Sequence, residues 1–305
     1  MKKIKYQGGL TKLITSKIGN KNKKRFARFI KQNLSLVSNK IIGRYMQIDI
    51  VSFSSTYDFY EQVLSILSFL RYVGTPASWT VYSDGSHTEG QVKLLESGFE
   101  FIKVEKIDWK NFKVLPDDCK QALLPYKDQL LDYASKLPLG KRLYYYLNHK
   151  IKNPTLFLDS DILFYNKASV FNLVLREKVN GWYLPDADWG CLDSRYKEKN
   201  SKQLYQVNGG FFIFNQELTD LKEGLDFLKS LNFKYEYFSD QNIFHILFRS
   251  NDFMPLDPRI FILNSADQFD FSYLYTREEM AIRHYTGPVR HKMWQRDWKW
   301  QLSLA

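Results

Sequence analysis

Two carboxylates one residue apart, Asp159 and Asp161, follow directly on the short strand pattern Thr155-Leu-Phe-Leu158. Like charges so close repel, and neither belongs beside the buried end of a strand without compensation. A divalent cation supplies it, because carboxylate oxygens are the preferred ligands of Mg²⁺ and Mn²⁺. Side-chain alternation lets one Asp face the ion directly while the other reaches it from the turn. The competing role is structural, since Asp and Ser are common in Asx-turns and at helix N-caps. Position after an apolar strand favours the ion.

Further groups suited to chemistry lie downstream. Asn208-Gly209-Gly210 sets two residues without a Cβ where a chain turns tightly or approaches a ligand closely. Asp240-Gln241 opens a helical stretch, where an acid also suits the first turn. His284 is a candidate metal ligand, although a lone histidine is more often structural. Arg290, His291 and Lys292 crowd cations that suit a diphosphate or form a solvated basic turn. Asp84, in Ser83-Asp84-Gly85, either accepts a hydrogen bond from a nucleotide or shapes the turn. Asp186 and Asp188, near Trp189, are candidates to face an acceptor.

Alternating elements must position these groups. Met46–Phe53, Trp79–Tyr82, Phe101–Val104 and Thr155–Leu158 have strand patterns, as do Gly181–Leu184 and Gly210–Phe214. Helical periodicity covers Tyr57–Tyr72, Glu89–Ser97, Lys141–Lys150, Leu221–Leu231 and Ser239–Phe248. This pattern predicts an α/β fold, a mainly parallel mixed sheet flanked by helices, with its ligand site at the carboxyl ends of the strands. A phosphatase of the haloacid-dehalogenase type also uses an Asp pair. It wants that pair on the first strand and Thr or Val two residues past the second Asp, where Leu163 stands.

Taken in order, the motifs resemble a GT-A nucleotide-diphospho-sugar transferase, and within it the family-8 retaining enzymes that include glycogenin and bacterial lipopolysaccharide galactosyltransferases. Leu156–Leu163 is similar to that family's metal-binding strand end, and Val207–Asn215 to its Asn-x-Gly strand. Ser239–Asn242 is similar to its Asp-Gln segment, and His284-Tyr-Thr-Gly287-Pro-Val-Arg290 to its C-terminal His-x-x-Gly-x-x-Lys motif. The resemblance implies Mn²⁺ or Mg²⁺ held by Asp159, Asp161 and His284. It implies a nucleotide-sugar donor at Asp159, Ser160, Asn208, Gly209, Gly210 and Gly287, with Asp240 and Gln241 against the transferred sugar and Gln241 on the reactive face. Lys141 or Arg142 falls where the family keeps an Arg near the donor phosphates. The family's Lys is replaced by Arg290, with Lys292 two residues later, so either can take the phosphate. Ser52-Phe53-Ser54 lacks the acid often found after the family's first strand. The family further implies a UDP-sugar, retention of anomeric configuration and a glycan or lipid-linked acceptor.

Composition sets the frame: 305 residues, 44% hydrophobic and 25% charged, suit a soluble globular chain with a sizeable core. Cys119 and Cys191 stand far apart and supply no disulfide framework or thiolate zinc site. No apolar run is long enough to span a bilayer. The start lacks a signal peptide's apolar core, so a cytoplasmic protein is expected, peripheral on the inner face of the membrane.

The net charge of +11 is uneven. Residues 1–40 hold twelve Lys or Arg and no Asp or Glu, so the remainder is −1. This segment is expected to stand apart from a transferase domain over 41–305. Phe26, Phe29, Ile30, Leu34 and Val37 recur at helical spacing among its cations. That face suits either the headgroup layer of an anionic membrane or docking on the domain. A near-neutral body argues against nucleic acid as a partner.

Overall fold

The computed structural model describes residues 9–41, 43–106, 119–186, 192–197 and 205–303. Asp188, Trp189 and Cys191 lie outside the described residues.

The chain opens with α1 (Gly9–Lys40), then alternates β1 (Tyr45–Ser54), α2 (Phe59–Tyr72), β2 (Thr75–Ser83), α3 (Glu89–Gly98) and β3 (Ile102–Lys106). The helices α4 (Lys127–Lys136) and α5 (Pro138–Asn148) lead into β4 (Thr155–Asp159), β5 (Ile162–Phe164), α6 (Phe171–Val174), β6 (Gly181–Pro185) and β7 (Val207–Phe214). After α7 (Lys222–Ser230) and α8 (Ser239–Ser250) come β8 (Met254–Pro255), β9 (Phe261–Ile262) and β10 (Ile282–His284). A short α9 (Arg290–Lys292), a π turn over Met293–Asp297 and α10 (Trp298–Ser303) complete the described chain.

Local chemistry sets several boundaries. Thr88 caps α3 in a capping box with Gln91, and Pro138 starts α5 where its missing N–H costs nothing. In β4, Leu156 and Leu158 enter one hydrophobic core while Phe157 enters the other, the period-2 pattern of a strand buried on both faces.

The main sheet has the order β3-β2-β1-β4-β7-β6-β8. The first four strands run parallel, while β7 is antiparallel to both β4 and β6. From β1 the order runs outward to β2 and β3 on one side and to β4 on the other. A crevice therefore opens at the carboxyl ends of β1 and β4, where Phe53 pairs with Asp159. Because β7 runs the opposite way, its start at Asn208–Gly210 lies beside the end of β4, with Phe211 opposite Leu158. A second sheet, β5-β10-β9, carries the chain's C-terminal part to the same edge.

Helix α1 packs with its apolar side inward. Phe26, Ile30, Leu34 and Val37 are buried in the core that includes α2, and Phe26 meets Trp294 at 5.2 Å between ring centroids. Asn22 Nδ2 donates to the Trp294 carbonyl at 2.9 Å, and Lys23 pairs with Glu61 at 2.7 Å. A Cβ at Gly19 would lie 2.9 Å from the His291 carbonyl oxygen, so the small residue permits this close crossing. The face expected to have two possible seats, membrane or domain, is thus docked on the domain. Phe29 alone of that set stays outside, 42% exposed.

Candidate functional site

A cavity of about 730 Å³ opens at this crevice, a size suited to a nucleotide-sized ligand. Alternation along β4 continues past its buried part, so Asp159 emerges on the side of Phe157, where α5 packs. There Arg142 Nη1 donates to both oxygens of Asp159, at 3.0 and 3.1 Å. Its Nε donates to Asp240 Oδ2 at 3.0 Å, and Nη2 contacts the same oxygen. Burial disfavours the guanidinium charge, but Asp240 and Asp159 outweigh it and raise the Arg142 pKa well above its ordinary value.

The turn after β4 brings Asp161 under the second sheet. β10 pairs antiparallel with β5, setting His284 opposite Ile162, and the Tyr285 N–H donates to the Asp161 carbonyl at 2.8 Å. His284 Nε2 then lies 3.1 Å from Asp161 Oδ1 and 3.8 Å from Asp159 Oδ2. Burial favours the neutral forms of both partners. Their mutual attraction wins, with Arg290 adding to it on the acid side: Asp161 sits well below the usual carboxylate range, and His284 is raised above its ordinary value.

Asn208 settles which ring nitrogen faces the acids. The Gly210 N–H donates to Asn208 Oδ1 at 3.0 Å, and Asn208 Nδ2 donates to Asp186 Oδ2 at 3.2 Å, which orients the amide. Oδ1 can only accept, so His284 Nδ1, 3.1 Å away, is its donor. Nε2 is left toward the carboxylates, the arrangement in which outer hydrogen bonds orient a metal-binding imidazole.

Asp159, Asp161 and His284 each offer one ligand atom, all within 4.8 Å of one another. The donor set, two carboxylates and an imidazole, fits a divalent ion. Room for it depends on Gly210, where a Cβ would lie 2.4 Å from His284 Cε1 and 2.7 Å from Asp159 Oδ2.

Of the other expected residues, Asp84, Arg142, Ser160, Asn208, Gly210, Asp240, Gln241, Gly287 and Arg290 all line the cavity. Asp84 also shapes its turn, accepting from the N–H and hydroxyl of Ser86 at 2.8 and 2.6 Å. Gln241 Oε1 accepts from the Gly209 N–H at 3.0 Å, which directs its amide nitrogen to Asp186, 3.2 Å away. Gly209 itself lies behind the wall, where a Cβ would press on Arg142 Nη2 at 2.9 Å. At Gly287, among the described residues, no atom beyond its chain neighbours lies within 4 Å of the Cβ position, so that wall is open.

The choices left open by sequence separate here. Lys141 Nζ donates to the Asp84 carbonyl at 2.8 Å, and Arg142 is the one of the two that lines the cavity. Arg290, 42% exposed at its side chain, bridges Asp161 at 2.5 Å and Asp58 at 2.9 Å. Lys292 is fully buried and does not line the cavity. Its Nζ donates to the carbonyls of Asp270, at 2.9 Å, and Ser272, and lies 3.6 Å from Asp267. Its cation is compensated where it stands.

Sequence reasoning passed over Asp58, Tyr57 and Tyr237, all on the cavity wall. Asp58 supplies an acid just past β1, four residues beyond the segment that lacks one, and its place before α2 was the available signal.

No protein-family model matches the sequence, and no curated protein matches it. Solved structures do match. The galactosyltransferase LgtC, in complex with donor and acceptor sugar analogs, is 17% identical with a TM-score of 0.52, covering 83% of this chain and 100% of its own. The bifunctional glycosyltransferase WbbM is 15% identical with a TM-score of 0.53, covering 79% of this chain and 46% of its own. Mouse xyloside xylosyltransferase 1 is 13% identical with a TM-score of 0.50, covering 81% and 99%. The chain therefore has the fold of the GT-A glycosyltransferases.

Proposed function

We propose that this chain is a metal-dependent glycosyltransferase that moves a sugar from a nucleotide diphosphate donor, a UDP-sugar by the resemblance, to a glycan or lipid-linked acceptor. The observation that carries the reading is the convergence of Asp159, Asp161 and His284 at the floor of a cavity at the sheet's switch point.

Mn²⁺ or Mg²⁺ at these residues would offset the negative charge that develops on the leaving diphosphate. The chain's own groups do the rest. Arg290 presents a half-exposed guanidinium suited to bidentate phosphate contact. Arg142 holds Asp159 in place through hydrogen bonds to both of its oxygens while compensating Asp240. Asp240 and Gln241 take the sugar-facing role. Gln241 cannot rotate freely, because its carbonyl is held by the Gly209 N–H. Asn208 holds His284 in the tautomer that ligation needs.

The transfer proceeds with retention, the leaving phosphate taking the acceptor's proton, so no protein base is required. Gln241 steadies the oxocarbenium-like centre.

A thermal-shift screen of nucleotide sugars with and without Mn²⁺ tests the class. Stabilisation by one donor only when metal is present is expected, whereas indifference to every donor overturns the reading. Proton NMR of the product then reads its anomeric coupling. An inverted anomer would replace retention by a base-assisted route through Asp186, Asp188 or Asp240.

A further inference from the structure

With Phe26, Ile30, Leu34 and Val37 docked, the opposite side of α1 faces solvent, and it is not an ordinary solvated surface. Leu10, Leu13, Ile14 and Ile18 are 72%, 53%, 40% and 43% exposed. They recur at the i, i+3, i+4, i+8 spacing of one helical stripe. Lys17, Lys21, Lys24, Arg25 and Arg28 continue the same side toward the C-terminus, and all five are exposed. Among the described residues none of these cations has an acidic partner within ion-pair distance, and residues 1–40 contain no Asp or Glu. From Leu10 to Arg28 this face runs about 27 Å at the helical rise per residue.

A loop further along the chain touches α1 at Lys12, on its docked side. Lys12 Nζ donates to Gln268 Oε1 at 3.0 Å and lies 5.3 Å from the Phe269 ring centroid, tying α1 to a loop that also exposes Phe271 and Leu274. That loop begins at Leu263, Asn264 and Ser265 on the cavity wall. No described helix is long and apolar enough to cross a membrane.

We propose that this outer face of α1 docks the protein on an anionic lipid surface. Exposed aliphatic chains enter the boundary between headgroups and acyl chains, and the flanking lysines and arginines meet lipid phosphates. Charge decides for lipid over a second copy of the chain: two such faces would bring uncompensated cations together, whereas an anionic bilayer neutralises them. This inference rests on the surface alone and stands or falls apart from the sugar-transfer reading.

Co-sedimentation of the full chain with vesicles of phosphatidylcholine, with and without about 30% phosphatidylglycerol, tests it. Binding only to the anionic vesicles is expected. Substituting Leu10, Leu13, Ile14 and Ile18 together by Gln should lower that binding at least tenfold. Substituting Lys17, Lys21, Lys24, Arg25 and Arg28 by Gln should do the same, with circular dichroism and thermal midpoint unchanged for both variants. Absence of binding, or equal binding to both vesicle types, overturns the proposal, as does an aliphatic variant that binds like the parent. Two further results assign the face elsewhere and also overturn it. One is a lipid-free dimer in sedimentation equilibrium that the aliphatic variant abolishes. The other is duplex-DNA binding that only the cationic variant loses, without lipid binding by the parent.

Discussion

His284 and Arg283 are neighbours on β10 and face opposite electrostatic worlds. His284 turns to the cavity, where Asp159, Asp161, Arg142 and Arg290 meet at the crevice. Arg283 turns into a sealed cluster. Its Nη2 donates to Asp267 at 2.7 Å, Lys292 lies 3.6 Å from the same acid, and Asp297 accepts from Tyr285 at 2.5 Å and Arg277 at 3.0 Å. Arg283, Asp267, Lys292 and Asp297 are all nearly inaccessible to solvent. One cluster has closed its charges against each other. The other leaves three ligand atoms converging on shared space and a half-exposed guanidinium on its edge. Composition does not distinguish them; access does. Charge that is buried and paired away from any opening holds structure, while charge gathered at an opening is available to a ligand.

The largest expected effect breaks the sealed cluster. Asp267→Ala leaves Arg283 and Lys292 facing each other uncompensated and should cost about 3–5 kcal/mol of stability. Chemical denaturation reads this. Protein that remains folded should keep its affinity for Mn²⁺, and a lost metal site would show the clusters to be one unit.

The open cluster should respond in activity as well as stability. Asp161→Ala should reduce metal-dependent transfer by about 10²–10³-fold, and it should also lower the thermal midpoint, because the buried Asp161 pairs with His284 and Arg290. A fully active variant removes the metal assignment. Smaller still, Asn208→Ala frees the His284 ring and should weaken Mn²⁺ binding about 10–100-fold, as measured by calorimetry. Unchanged affinity would deny Asn208 its orienting role.

The pH dependences sharpen the contrast. In the metal-free protein the acids raise His284, so its proton must leave when an ion is bound. Affinity for Mn²⁺ should therefore rise with pH through the range where that imidazole titrates, and calorimetry in buffers of different ionisation enthalpy should detect released protons. Two buried histidines that do not line the cavity act on stability instead. Burial pushes His87 and His245 down to about 4, against an ordinary value of 6.5. Between those values the unfolded chain binds protons that the folded one refuses. Their contribution is whole above pH 6.5 and drains as pH falls toward 4. A thermal midpoint that stays level across that interval would contradict their burial.

Legibility in the sequence varied with the range of the interactions concerned. The strand patterns of β1, β2, β4 and β7 were visible because each carries its own alternating or fully apolar run. Asp159 and Asp161 were visible because they interrupt such a run at its end. β10 was not visible as a strand: three residues, Ile-Arg-His, carry no period, and pairing with β5 creates it. His284 was accordingly found through its motif and not through its element. The choice between Arg290 and Lys292 could not be made from two cations separated by one residue. It follows from α9 turning one toward the crevice and the other onto the carbonyls of residues 270 and 272.

Helix α1 marks the same boundary. Its length, its cations and its two-sided pattern are properties of residues 9–40 alone. Which side is covered depends on Trp294, Glu61 and the rest of the core arriving from far along the chain. Sequence by itself determined the α/β order, the acid pair and the motif residues, because each is encoded within a few turns or one strand. The tertiary structure alone decided which charges are sealed, which remain open, and which face of α1 meets solvent. Burial is a relation between segments, and no segment carries it by itself.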